Sequence, residues 1–307
     1  MNSISMIVGG TGQFGITLAK KLSKTDKVII TTRSVKRSKN ELKKIKNVKI
    51  VKLNILRKIE ITKLLINFRP KKIFYFAGQS SPALSFKNPK ETYLSNFKGC
   101  KNFLEVIFYN NLKCKFINSS SCDIYGNIGR SINLKTKKKP ISPYGKSKLA
   151  SFNITKKFRE RNNLSTYNAI IFNTESIYRN RSFLIPKICM SAIMAYKKKK
   201  KTGFGNLNVS REWNWCPEQC DSIIKFIKKK PQDFILSNGK IFSALKMLEF
   251  AFSYFNLDYR KYIFLDKKYL RKKDINYIKS DPKLSLKKNK IYGKKLIFRL
   301  INHYLNS

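Results

Sequence analysis

Gly9-Gly10-Thr11-Gly12-Gln13-Phe14-Gly15 follows directly on the apolar run Ser5 to Val8 and opens a stretch of helical periodicity, Gln13 to Lys24. Strand, glycine turn and helix in that order present free backbone amides at a helix N-terminus. The spacing of Gly9, Gly12 and Gly15 leaves room there for a dinucleotide pyrophosphate, which the helix dipole favours. A glycine triplet alone is a weak signal; its place between a first strand and a first helix makes it a nucleotide site. Outward from it, β-rich runs at Val28 to Thr32, Val48 to Leu53, Lys72 to Phe76 and Lys115 to Asn118 alternate with helical patterns at Lys58 to Asn67 and Pro89 to Asn110. A long helix is expected from Ser142 through Ala150 and Phe158, then a strand at Thr166 to Phe172. Such alternation predicts an α/β fold with a doubly wound parallel sheet. Beyond Asn173 the pattern turns irregular, which predicts a smaller mixed α/β lobe, with Asp233 to Leu236 returning as a last sheet strand. The expected division is 1–172 for the nucleotide, completed by a strand near 233–237, and 173–307 for the substrate.

The 307 residues, 42% of them hydrophobic, suffice for a sizeable core, so disorder is excluded. A formal net charge of +49 ordinarily points to nucleic acid or an anionic surface. Here the basic residues are 53 lysines and only 13 arginines, spread over the whole chain beside abundant Ile, Asn, Phe and Tyr. That pattern fits codon drift better than a phosphate-reading surface, which would enrich and cluster arginine; no nucleic-acid partner is expected. The densest run, Lys197 to Lys201, reads as a solvated helix end. Six cysteines without a CxxC spacing, and a single histidine, His303, disfavour a metal site and histidine-based catalysis. Acid-base chemistry therefore falls to Tyr, Lys, Asp, Glu or Cys. The longest apolar stretch, near Ile188 to Tyr196, is far short of the ~20 residues that cross a bilayer, and no leader is evident, so a cytoplasmic location without membrane insertion is expected.

Ser142-Pro143-Tyr144-Gly145-Lys146-Ser147-Lys148 carries the reactive pair. On a helix starting at Ser142, Tyr144 and Lys148 lie on one face, and the ammonium can stabilise a phenolate that acts as a base near neutral pH. A half-buried packing tyrosine is the bland alternative. At the end of the second strand stands Thr32-Arg33-Ser34, where an NAD-preferring protein places a carboxylate on the ribose. A cation there suits a ribose 2′-phosphate, so NADP is favoured over NAD, against the alternative that Arg33 is one more surface cation.

These residues resemble the extended short-chain dehydrogenase/reductases and, within them, the GDP-mannose 4,6-dehydratases. The glycine loop is similar to the family's GITGQDG, Ala77-Gly78-Gln79-Ser80 with Ser85-Phe86 to its GAQS and SF, and Ser119-Ser120-Ser121-Cys122-Asp123-Ile124-Tyr125-Gly126 to its STSELYG. Phe172-Asn173-Thr174-Glu175-Ser176 with Arg179 and Lys187 is similar to FNHES followed by RR and RKI, and Gly205-Asn206-Leu207 with Arg211-Glu212-Trp213 to GNLDAKRDW. The resemblance implies a Rossmann domain, GDP-mannose as substrate and its conversion to GDP-4-dehydro-6-deoxymannose. In that scheme Tyr144 beside Lys148 takes the proton from the hydroxyl on sugar carbon 4, Ser121 holds that oxygen, and Asp123 removes the carbon 5 proton as water leaves carbon 6. Cofactor contacts fall to Gly9, Thr11, Gly12, Gln13, Gly15, Arg33, Asn54, Ala77, Gln79, Ser80, Thr174 and Arg179. Substrate contacts fall to Asn173, Glu175, Lys187, Arg211 and Arg271, and a homo-oligomer, dimer or tetramer, is implied.

The chain departs from the pattern at several positions. Asp123 replaces Glu, Ser121 replaces Thr, Thr174 replaces His, Phe14 stands at the acidic position of the glycine loop, and Asn54 stands where an Asp meets the adenine. The segment after Arg33 and the stretch between Phe255 and Arg271 are shorter. Two other readings stay open: an NADPH-dependent 4-keto sugar-nucleotide reductase or epimerase, which needs no carboxylate at 123, and a catalytically drifted sugar-nucleotide binder.

Overall fold

The computed structural model describes residues 3–35, 40–270, 273–284 and 290–307. Two units divide the chain: Met1–Gly126, Lys137–Ile171 and Cys220–Leu236 form the first, and Asn127–Thr136, Phe172–Gln219 and Ser237–Ser307 the second.

The first unit grows from the opening βα turn. β1 (Ile4–Val8) is apolar at nearly every position, and α1 (Gln13–Leu22) packs along it. β2 (Lys27–Thr32), β3 (Val48–Lys52), β4 (Lys72–Tyr75), β5 (Lys115–Ser121), β6 (Thr166–Ile171) and β7 (Asp233–Leu236) complete a seven-stranded sheet in the order β7-β6-β5-β4-β1-β2-β3. Every pairing in it is parallel, with Val8 opposite Tyr75 and Ser121 opposite Ile171. Strand order reverses between β1 and β4, and the crevice beyond the carboxyl ends of strands at such a switch point is where open α/β sheets take ligands. Helices α2 (Lys58–Phe68), α3 (Gly99–Tyr109) and α4 (Pro143–Asn162) connect the strands. Leu64, Leu65, Phe103, Leu104 and Phe116 bury one another against Met6 and Tyr75 on the sheet.

The sequence periodicity ran unbroken from Pro89 to Asn110, but the structure interrupts it. Pro89–Tyr93 is α-helical, Leu94–Lys98 is a π-helical turn, and α3 follows. The π turn accommodates one extra residue without breaking the helix. It turns Ser95 and Asn96 toward β4 and its following loop: the Tyr75 hydroxyl donates to Ser95 O (2.9 Å), Gln79 N donates to Ser95 Oγ (3.2 Å), and Asn96 Nδ2 donates to Gln79 O (3.0 Å).

The second unit is held by α5 (Leu184–Lys198), α6 (Ala244–Ser253) and α7 (Gly293–Leu305), whose apolar faces share a core of Ile188, Ala192, Leu248, Phe252, Leu296 and Leu300. Short ladders fasten the loops: Thr174–Glu175 with Asn214–Trp215, Ser210–Arg211 with Phe242–Ser243, and Ser131–Ile132 with Lys279–Ser280. Glu212, fully buried, ties two further segments to its own by accepting from the backbone amides of Asn238 (3.1 Å) and Gly239 (2.8 Å) and from that of Ser280. Lys199 to Lys201 are exposed beyond the end of α5. Among the described residues no helix is long and apolar enough to cross a membrane.

Candidate active site

The glycine loop is built by close approach. Gly9 adopts φ +79°, and a Cβ on it would lie 2.5 Å from Ala77 Cα, so the loops after β1 and β4 touch only because this position has no side chain. Gly15 packs its first helical turn onto Gly10, where a Cβ would come within 2.3 Å of Gly10 O. Gly12 differs: a Cβ there would meet only Gly9 O, at 3.9 Å, so the space above it is open. The N-cap of α1 is Gly12 itself, which has no side chain to bond the first amides of the helix. Phe14, at the family's acidic position, stacks on Phe76 with ring centroids 5.0 Å apart. Its packing role takes the place of a charge contact.

Arg33 is exposed past the end of β2, with Nη1 3.5 Å from Glu91 Oε1; a pair this exposed is weak and leaves the guanidinium available. Asn54 is occupied locally, its Oδ1 accepting from Leu56 N at 3.0 Å. Gln79 braces its own turn, donating from Nε2 to Ser81 O (2.8 Å) and to Thr92 Oγ1 (3.3 Å).

At the carboxyl end of β5, Ser121 runs into a single 3₁₀ turn, Cys122–Ile124. Asp123 N donates to Ser121 Oγ (3.2 Å), and that hydroxyl lies 3.4 Å from Asp123 Oδ1. α4 begins as expected: Ser142 Oγ accepts from Gly145 N (3.0 Å), Pro143 occupies the first turn, and Tyr144 and Lys148 follow one turn apart. Gly145 brings that first turn against the 122–124 turn, since a Cβ there would sit 2.7 Å from Asp123 O. Ser121, Asp123, Tyr144 and Lys148 therefore belong to one cluster in the first unit. Lys148 is 6% exposed; its Nζ donates to Ser119 O (2.7 Å) and Ser119 Oγ (3.3 Å) and lies 6.0 Å from the Tyr144 ring centre. Burial lowers the Lys148 ammonium to about 8.

The sequence motif contains Ser119 without giving it a role, and Asn96 does not stand out in the sequence. Ser119 supplies both acceptors of the Lys148 ammonium. Asn96, 1% exposed, donates to Ser147 Oγ (3.1 Å), which in turn donates to Tyr144 O (2.7 Å), tying the Gln79 loop to the first turn of α4. The Oδ1 of Asn96 and the Oγ of Ser120 are buried without hydrogen-bond partners. No local pattern announces Ser119 or Asn96, because the bonds that tie them to α4 span 29 and 51 positions of sequence.

In the second unit Glu175 is 3% exposed, and its Oε2 lies 3.8 Å from Arg179 Nε, too far for a hydrogen bond; both atoms are buried and unpartnered. Burial raises the Glu175 carboxyl to about 7 against the opposing pull of Arg179. The Arg179 guanidinium stacks 3.6 Å above the Phe183 ring. Thr174 donates to Phe172 O (2.7 Å), and Asn173 O accepts from Asn214 N (2.8 Å). Lys187 donates to Gly203 O (2.6 Å) and lies 3.3 Å over the Tyr269 ring; burial lowers its ammonium. Arg211, 8% exposed, donates to Ser210 O (2.9 Å) and to Ile275 O and lies 3.4 Å from Asp274 Oδ1. Arg271 lies outside the described residues. Among the described residues no three His, Cys, Asp or Glu side chains converge as a metal site.

A doubly wound sheet with a glycine loop at its switch point is a Rossmann fold, and solved sugar-nucleotide enzymes share it over the whole chain. A dTDP-glucose 4,6-dehydratase from Streptomyces venezuelae with NAD and TYD bound superposes with a TM-score of 0.86 at 16% identity, covering 99% of this chain and 97% of that one. A UDP-N-acetylglucosamine 4-epimerase from Methanobrevibacter ruminantium does so with a TM-score of 0.84 at 20% identity, covering 99% of both chains. The chain belongs to the GDP-mannose 4,6 dehydratase family, whose family model matches residues 6–290. GDP-mannose 4,6 dehydratase 1 of Arabidopsis thaliana is 26% identical over 219 residues, 69% of this chain and 61% of that protein. The GDP-mannose 4,6-dehydratase of Sinorhizobium fredii is 30% identical over 205 residues, 65% of this chain and 56% of that protein. The chain thus spans about three-fifths of the length of these curated relatives. The resemblance read from the motifs is borne out at the level of the family.

Proposed function

We propose that the chain is a GDP-mannose 4,6-dehydratase that uses NADP. The observation that carries this reading is the close packing of Gly145 on Asp123 O, which brings the turn of α4 that carries Tyr144 and Lys148 against the turn that carries Ser121 and Asp123. The open space over Gly12 and the uncapped helix behind it fit a pyrophosphate, and the exposed Arg33 fits a ribose 2′-phosphate. Gly9, Thr11, Gln13 and Gly15 would hold the diphosphate, Asn54 the adenine side, and Ala77, Gln79, Ser80, Thr174 and Arg179 the rest of the cofactor. When bound, the nicotinamide supplies a store for two electrons that are taken from sugar carbon 4 and returned at carbon 6.

The protein's own groups perform the proton chemistry. Tyr144, as a phenolate with the Lys148 ammonium one turn further along α4, accepts the proton of the carbon 4 hydroxyl. Ser121 holds that oxygen through its hydroxyl. The ketone formed there acidifies carbon 5, and Asp123 removes that proton while the carbon 6 hydroxyl departs as water. Asp is one methylene shorter than the family's Glu, and a misplacement of ~1 Å costs on the order of 100-fold, so turnover is slow. Asn173, Glu175, Lys187, Arg211 and Arg271 would hold the sugar nucleotide, with the cations on its phosphates. Assembly as a homo-oligomer, dimer or tetramer, accompanies this reading.

Incubation of the purified protein with GDP-mannose and NADP+ tests the assignment by mass. The expected product is lighter than GDP-mannose by one water, and Asp123→Asn forms none of it while still exchanging hydrogen at carbon 4. Net consumption of NADPH with a 4-keto sugar nucleotide, and no loss of water, would replace the dehydratase by a reductase.

A further inference from the structure

A second cavity opens in the first unit at the opposite end of the sheet from the glycine loop. It has a volume of about 600 Å³ and lies below the N-terminal ends of β4, β5 and β6, within the ~300–1,000 Å³ range usual for sites that take small organic molecules. Its walls are apolar, formed by Leu22, Phe108, Leu112, Leu164, Ile224 and Ile227. Five lysines and no carboxylate line it. Helices α1, α3 and α4 end here, and their last carbonyls attract cations. Two of the lysines already have partners of another kind: Lys115 donates to Ile227 O (2.7 Å), and Lys72 is neutralised by Asp26 (2.8 Å). Lys71, Lys113 and Lys228 remain, exposed at the opening and with no ion pair to an acidic side chain among the described residues. The one polar group of the wall that could carry negative charge, the Cys114 thiol, is pushed up to about 12 by burial and stays protonated.

Apolar walls open to water are unfavourable when empty, and a rim of unpaired ammoniums repels itself. Both costs are relieved by one kind of molecule. The geometry points to a binding site for a small organic anion with an apolar body, of the medium-chain carboxylate type, its chain against Phe108 and Leu164 and its carboxylate among Lys71, Lys113 and Lys228. The site is separate from the one proposed for GDP-mannose and does not depend on it.

Calorimetric titration of the full chain with octanoate, octan-1-ol and inorganic phosphate tests this. Octanoate is expected to saturate a single site, with octanol and phosphate each weaker by about tenfold or more, as loss of either half of the contact requires. Lys113→Glu with Lys228→Glu, both at exposed positions, is expected to weaken octanoate by at least about tenfold and to leave octanol unchanged; Leu164→Trp, which fills the cavity, removes both. Octanol binding as tightly as octanoate would leave an apolar hole and no anion site, and phosphate binding as tightly would mean an adventitious ion only. No heat with octanoate, or heat unchanged in the lysine variant whose circular dichroism matches the parent, equally overturns the proposal.

Discussion

Lys148 in the first unit and Glu175 in the second are both buried, at 6% and 3% exposure, yet their hydrogen-bond surroundings differ. The Lys148 ammonium donates to a carbonyl and a hydroxyl of the same residue, Ser119. The Glu175 carboxylate has an arginine 3.8 Å away and no hydrogen bond from it. Burial moves each group toward neutrality, Lys148 to about 8 and Glu175 to about 7. Burial is the larger cause in both, opposed at Glu175 by the Arg179 charge; what separates the two sites is their polar contacts, satisfied around Lys148 and left open at the Glu175 Oε2 and Arg179 Nε atoms. The first cluster is complete in itself. The second has donor and acceptor capacity to spare, as a site that binds a polar ligand should.

The sharpest test of that contrast is Tyr144→Phe. If the completed cluster is where chemistry occurs, loss of the phenol lowers dehydration of GDP-mannose by about 10³-fold, within the span of general acid–base effects, with thermal stability unchanged. Equal turnover in the variant would remove the tyrosine from the reaction.

Glu175→Gln probes the other side. The folded carboxyl keeps its proton up to about 7 and the unfolded one loses it near 4.5, so between those pH values the native state binds more protons and stability falls as pH rises. The expected fall is on the order of a few kcal/mol in the parent and absent in the variant, read from urea melts across that window. A flat parent profile would mean that Arg179 holds the carboxylate ionised.

Smaller effects refine the comparison. Arg33→Ala is expected to weaken NADP by about tenfold and to leave NAD unchanged, the loss of one charge-assisted contact. In Ser119→Ala the Lys148 ammonium keeps its carbonyl acceptor and loses the hydroxyl. Its proton is then held less tightly, and the alkaline limit of turnover moves down by about half a unit or less. An unchanged limit would show that the carbonyl alone positions the ammonium.

Much of this was legible in the sequence wherever the signal was local. Gly9 to Gly15 fixed the first βα turn because each glycine meets a neighbour close in the fold or leaves a space, and Ser142-Pro143 marked the start of α4 because capping involves residues three apart. The seven strands announced themselves through short apolar or β-branched runs, and the alternation with helices made them parallel, while their order is visible only in the structure. What remained hidden acts at a distance. Glu212 reads as part of a motif, but its grip on Asn238, Gly239 and Ser280 links residues up to 68 positions apart. The two-residue ladders of the second unit are too short to carry a period, and Ser119 is indistinguishable from its two serine neighbours until Lys148 folds over it.

The extra residue in the Leu94–Lys98 turn sets the phase of everything before it relative to α3. Excising one residue there, Lys98 for instance, lets the segment rewind as uninterrupted α-helix and swings Thr92 and Ser95 by roughly 100° about the axis, since each helical residue advances by that angle. Gln79 then loses its brackets while the hydrophobic face of α3 stays seated. A single-codon deletion at this point should yield a folded protein whose loop after β4 is misassembled, a lesion that no substitution at Thr92 or Ser95 alone reproduces.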